Sequence, residues 1–155
     1  MSESKSSFVY VTYIRTTPQK LWDALTKPEF TRQFWFGTWQ ECDWKAGAAW
    51  RLMIPDGRVA DAGEVLEIDP PRRLVLSWRN EFTDMREEGF SRMTYLLEPE
   101  SEMVKLTVMH EIDRPKAKFI EAVSGGWPKV ISNLKSLLET GSAVLQDPYP
   151  TPNQR

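Results

Sequence analysis

The chain has 155 residues, 41% of them hydrophobic, and its 20 Lys and Arg against 22 Asp and Glu leave a net charge of −2. This is one domain of ordinary size with enough apolar material for its own core, which excludes wholesale disorder. Charges of both signs are interspersed, so there is no basic stripe for nucleic acid, and no apolar run approaches the length of a membrane span.

Met1 to Ser7 is polar, without the apolar core of a secretion signal, and residues 1–7 are expected to be disordered. Phe8 to Ile14 is β-branched and aromatic and reads as a strand. Thr17-Pro18 is a helix start, with Leu21, Trp22 and Leu25 on one face. Pro28 ends that helix and opens a second short one carrying Phe30 and Phe34.

From Thr38 the period changes to two. Strands are expected over Trp39–Trp44, Ala48–Ile54, Arg58–Ile68, Arg73–Glu81, Gly89–Glu98 and Met103–Ile112. The breaks hold Gly, Pro, Asn and Asp, and links this short imply an antiparallel meander of about seven strands. After Pro115, helical spacing returns through Phe119, Val123, Trp127, Val130 and Leu134 to a Gly cap at Gly141. Pro128 lacks an N–H and would clash with the Ser124 carbonyl, so a kink or restart near Gly125-Gly126 is expected. Residues 8–141 thus form the domain, and 142–155 a Pro-rich extension, mobile or docked.

Alternation assigns faces. Val104, Leu106, Val108, His110 and Ile112 share the side that should meet the long helix. Met93, Tyr95 and Leu97 match them, as do Leu74, Leu76 and Trp78, and Trp50, Leu52 and Ile54. The seven Trp and seven Phe either fill the interior or line a pocket, and composition does not choose between them.

Chemical motifs are scarce. His110 is the single histidine; it is either an acid–base or ligand group, or a core histidine satisfied by a neighbour. Tyr95 is the polar inward group best placed to meet a ligand, whereas Arg51, Asp61 and Glu67 read as solvated or paired strand residues. One Cys and one His fall short of a metal set, no glycine loop makes a phosphate cradle, and no cofactor is expected. Cys42, flanked by Glu41 and Asp43, reads as structural, and the lack of a disulfide pair fits a reducing cytoplasm.

Three segments resemble a known family together. Residues 17–29 (TPQKLWDALTKPE), 63–78 (GEVLEIDPPRRLVLSW) and 126–141 (GWPKVISNLKSLLETG) are similar, in order, to the bacterial activator-of-Hsp90-ATPase-like branch of the START/Bet v 1-like (SRPBCC) superfamily. The resemblance implies an α+β helix-grip fold, with a curved antiparallel sheet wrapped around the C-terminal helix over a cavity. Its members include hydrophobic-ligand carriers, cyclases and a co-chaperone, so fold does not settle function.

The leading expectation is a binder of a small hydrophobic or aromatic molecule. Its pocket would be lined by Trp50, Leu52, Leu76, Trp78, Met93, Tyr95, Val108, His110, Phe119, Val123, Trp127 and Val130. The alternatives are a cyclase- or hydrolase-like enzyme using His110 and Tyr95, and a protein-interaction module, either co-chaperone-like or a homodimer on an exposed sheet edge. Hsp90 itself is not an expected partner, because these residues hold no separate Hsp90-binding domain and no net basic character.

Overall fold

A computed structural model describes residues 4–145 apart from Thr83. Its strands are β1 (Ser6–Ile14), β2 (Trp39–Cys42), β3 (Ala49–Met53), β4 (Val59–Asp69), β5 (Arg73–Asn80), β6 (Ser91–Glu100) and β7 (Met103–Ile112). They form one seven-stranded sheet in the order β1-β7-β6-β5-β4-β3-β2. Every neighbouring pair is antiparallel. The short helices α1 (Pro18–Thr26) and α2 (Pro28–Phe34) lie between β1 and β2, and α3 (Lys118–Thr140) follows β7. This is the helix-grip architecture that the resemblance implied.

Local chemistry explains the boundaries. Thr17 caps α1 by accepting the Lys20 N–H at 3.2 Å, with Pro18 behind it in the first helical turn. β1 starts two residues before the expected Phe8, because the Ser6 hydroxyl donates to the Arg114 carbonyl and accepts the Ala117 N–H. Ser6 and Ser7 therefore belong to the sheet rather than to a disordered terminus. β2 stops at Cys42, short of Trp44, whose φ of 52° leaves extended backbone.

The long helix begins at Lys118 rather than near Pro115. Ala117 at its N-cap offers no side-chain acceptor. Glu88, at the end of a 3₁₀ turn (Asp84–Glu88), supplies one instead. Its two carboxylate oxygens accept the Lys118 and Phe119 N–H groups, each at 2.9 Å. The helix then passes Pro128 without the expected restart, because a proline removes one backbone donor while Trp127, Val130, Ile131 and Leu134 stay buried around it. Gly141 closes it in the left-handed conformation with φ 92°.

The core lies between the concave sheet face and the helices. The inward residues expected on β5, β6 and β7, Leu74, Leu76, Trp78, Met93, Tyr95, Leu97, Val104, Leu106 and Val108, are all buried, and Val75, Thr94 and Thr107 of the opposite face are buried with them. β4 carries a register shift between Val65 and Glu67. The first four residues of the Pro-rich extension are partly tied down. Buried Asn133 on α3 accepts the Val144 and Leu145 N–H groups at 3.0 and 2.6 Å and donates to the Phe34 carbonyl at 3.2 Å. The Pro-rich stretch itself lies outside the described residues.

Candidate functional site

A cavity of about 840 Å³ separates one end of α3 from β3, β4 and β5. That volume suits a drug-sized molecule. The helix contributes Phe119, Ala122, Val123, Gly126, Trp127 and Val130. Leu52, Ile54, Ala60 and Trp78 face them from the strands, and Trp35, Phe36 and Thr38 from the segment after α2. Exposed Asp56, Arg58 and Phe82 mark its mouth, with half-buried Met85 beside them.

Three indoles form one wall. Trp35 and Trp78 stack at 6.0 Å, while Trp127 meets them at 5.5 and 5.7 Å. Each of two is oriented by a hydrogen bond from its ring nitrogen. Trp127 donates to Nδ1 of His110 at 3.1 Å, and Trp78 donates to the Asp61 carboxylate. Behind this wall the Trp50 indole donates to Gln40, whose amide donates in turn to the Leu25 carbonyl. Paired polar groups thus fix large apolar plates in place.

His110 belongs to that supporting layer. Its Nδ1 accepts from Trp127, which leaves the proton on Nε2 to be donated to Ser91 Oγ at 2.8 Å. The Ser91 hydroxyl in turn donates to the Trp78 carbonyl at 2.7 Å. Both ring nitrogens are used, the residue has no exposed surface, and burial pulls its pKa down to about 3. At neutral pH it is an uncharged histidine satisfied inside the core. Tyr95 is also fully buried, and burial pushes its hydroxyl far above the ordinary tyrosine range.

The expected lining residues divide into two groups. Leu52, Trp78, Phe119, Val123, Trp127 and Val130 border the cavity. Trp50, Leu76, Met93, Tyr95 and Val108 lie outside its lining, in the packed core, and His110 is buried beside them.

Thr38, Asp56, Arg58 and Asn80 also line the cavity, but its one buried acid among the described residues is Asp61, read from sequence as a solvated or paired strand residue. It sits opposite Leu52 and Asn80 in the β3–β4–β5 register, which points it inward. Its carboxylate accepts the Asn80 amide at 3.2 Å and the Trp78 indole N–H. Burial raises its pKa from 3.8 to about 6, outweighing those two bonds, and the nearby Glu81 charge adds to the rise. One signal in the sequence could have found it. Asp61 is an acid set among the small apolar residues of Val59-Ala60-Asp61-Ala62-Gly63, in a strand whose partner faces were already assigned.

Other chemistry is thin. Among the described residues no group of three or more His, Cys, Asp or Glu is arranged to hold a metal ion. No described helix is long and apolar enough to cross a membrane. Partial burial raises the Cys42 thiol, ahead of the smaller effect of Asp43.

Known structures share this architecture. A protein from Mesorhizobium loti, MLL2253, is 24% identical, with a TM-score of 0.74 over 86% of this chain and 97% of its own. CalU16 from Micromonospora echinospora is 19% identical, with a TM-score of 0.70 over 87% of this chain and 77% of its own. The Aha1 dimer from Colwellia psychrerythraea is 15% identical, with a TM-score of 0.72 over 88% and 98%. No curated protein matches. The family model described as activator of Hsp90 ATPase homolog 1-like protein matches residues 15–139, most of the domain, and the chain belongs to that family.

Proposed function

We propose that this protein binds a small hydrophobic or aromatic molecule in the cavity between α3 and the concave face of the sheet. One observation carries the reading: an opening of about 840 Å³ walled mainly by indole, phenyl and aliphatic groups. A pocket that size with mainly apolar walls takes an apolar guest out of water. The immediate contacts would be Leu52, Trp78, Phe119, Val123, Trp127 and Val130, with the His110 layer holding the indoles from behind. Acid–base catalysis by His110 or Tyr95 gains no support, since one has both nitrogens occupied and the other is sealed in the core. The unpaired thiol of Cys42 fits a reducing, cytoplasmic setting.

Gly126 provides the test. A Cβ built there meets nothing within 4 Å. Gly126→Phe should fill the cavity while keeping the fold. Native mass spectrometry of the wild type should reveal a copurifying small molecule, or uptake of an added aromatic probe, that the variant loses. Equal uptake by both proteins would defeat the proposal.

A dimer is a second reading, favoured by the outer side of β1. There Val9, Val11 and Tyr13 are 54%, 45% and 43% exposed on an edge strand, which is a ready surface for a second copy. The Colwellia relative is described as a dimer. Light scattering should report a dimer that Val11→Glu converts to a monomer, and a wild-type monomer at high concentration would dismiss it.

A further inference from the structure

Asp61 gives the cavity a chemical preference beyond apolarity. We infer that the cavity selects apolar or aromatic molecules bearing a single amine cation, with the ammonium group seated against the Asp61 carboxylate. The inference rests on the cavity being the ligand site and names the class of guest.

The charges on the wall lead to it. At the mouth, Arg58 pairs with Asp56 at 2.7 Å and lies 4.8 Å over the Phe82 ring, so these two charges cancel. Glu81, the residue after β5, is paired with Arg79 at 2.6 Å and with Arg86 at 3.7 Å. Asp61 is 8% exposed and, among the described residues, no Lys or Arg lies within ion-pair distance of it. Its two donors, from Trp78 and Asn80, are neutral and fill about half of the roughly four acceptor positions of a carboxylate.

A buried anion held only by neutral donors is costly, and a cation delivered by the ligand offsets that cost. The neighbouring indoles strengthen the choice, because the faces of Trp78, Trp127 and Trp35 attract a desolvated ammonium. An anionic guest would meet repulsion from Asp61. A neutral hydroxyl could donate a hydrogen bond but would leave the carboxylate unneutralised. Apart from Asp61 and the Asp56–Arg58 pair, no charged residue lines the cavity among the described residues. The helix contributes Phe119, Val123 and Trp127 to it, and Leu52 of β3 pairs with Asp61.

The test uses the intact protein and three probes of one shape: 2-(1-naphthyl)ethylamine, its N-acetyl amide, and 3-(1-naphthyl)propionate. Affinities come from calorimetry, and the site from the indole N–H resonance of Trp127. The amine should bind at least about tenfold tighter than the amide or the acid. Asp61→Asn should level the amine and the amide. In the wild type, amine affinity should fall about tenfold between roughly pH 7.5 and pH 5 as Asp61 takes up a proton while the amine stays charged. That wild-type arm stands whether or not the variant folds.

If the amide or acid binds as tightly as the amine and still moves Trp127, the amine preference is wrong and hydrophobic binding survives. If no probe moves Trp127, or Gly126→Phe binds the amine unchanged, the cavity is not the site and both readings fall.

Discussion

Trp127 donates its indole N–H to Nδ1 of His110, tying the middle of the long helix to β7 through the only histidine in the chain. The bond fixes the tautomer and holds one plate of the cavity wall. It also predicts a pH signature. The folded pKa of about 3 lies below the ordinary 6.5, so the unfolded chain takes up the proton first as pH falls. The contribution of His110 to stability is therefore complete above about pH 6.5 and is lost as pH drops toward 3. By pH 4.5 the loss should reach about 2–3 kcal/mol in urea unfolding, and His110→Gln should lack it. A wild-type slope no steeper than that of the variant would contradict the neutral, buried assignment.

Asp61 works in the opposite direction. Its folded pKa of about 6 lies above the ordinary 3.8, so the folded chain keeps a proton that the unfolded chain has released. The associated stability is present below about pH 4 and is lost as pH rises through 6. Asp61→Asn should therefore be more stable than the wild type at pH 7 by about 1–3 kcal/mol, and the gap should close below pH 4. Paired urea titrations at the two pH values decide it. A variant that is less stable at pH 7 would mean that the ionised carboxylate is well compensated in the empty protein.

Gly63 leaves no room for a side chain. A Cβ there would lie 1.8 Å from the Ser77 carbonyl oxygen on β5, and backbone cannot yield as a flexible side chain does. Gly63→Ala should cost about 2 kcal/mol or more and lower the melting temperature by several degrees. Because Gly63 is two residues from Asp61, amine binding should weaken as well. An unchanged melting temperature would show that the two strands can separate freely at that point.

Asn133 should govern the end of the chain that follows α3. Replacing it with Leu removes two acceptor contacts and the donors to Phe34 and Leu145. Hydrogen exchange at Val144 and Leu145 should then rise to unprotected rates, with a global loss of about 1–3 kcal/mol from the Phe34 carbonyl left unpaired. Continued protection would mean that side-chain packing, not the amide, holds this segment.

The sequence carried the architecture because each signal was local. Period-two runs gave the strands, Thr17-Pro18 and Pro28 gave the helix starts, and the spacing from Phe119 to Leu134 gave α3. The inward set of β5 to β7 followed from alternation alone. What it could not carry was pairing at a distance. His110 was read correctly as inward, but its partners Ser91 and Trp127 stand 19 and 17 residues away and meet it only after the helix packs on the sheet. Asp61 was missed because β4 gives little alternation to read, with small residues before it and a register shift after it. The helix start was misplaced for a similar reason, since its cap comes from another segment.

That cap makes one carboxylate a tether with two jobs. Glu88 ends the turn whose Met85 borders the cavity mouth, and it grips the first free amides of the helix that forms the opposite wall. The turn at the entrance is therefore tied to a helix end 30 residues further along the chain. Whatever competes for Glu88 releases the turn at the doorway and uncaps the helix in the same event.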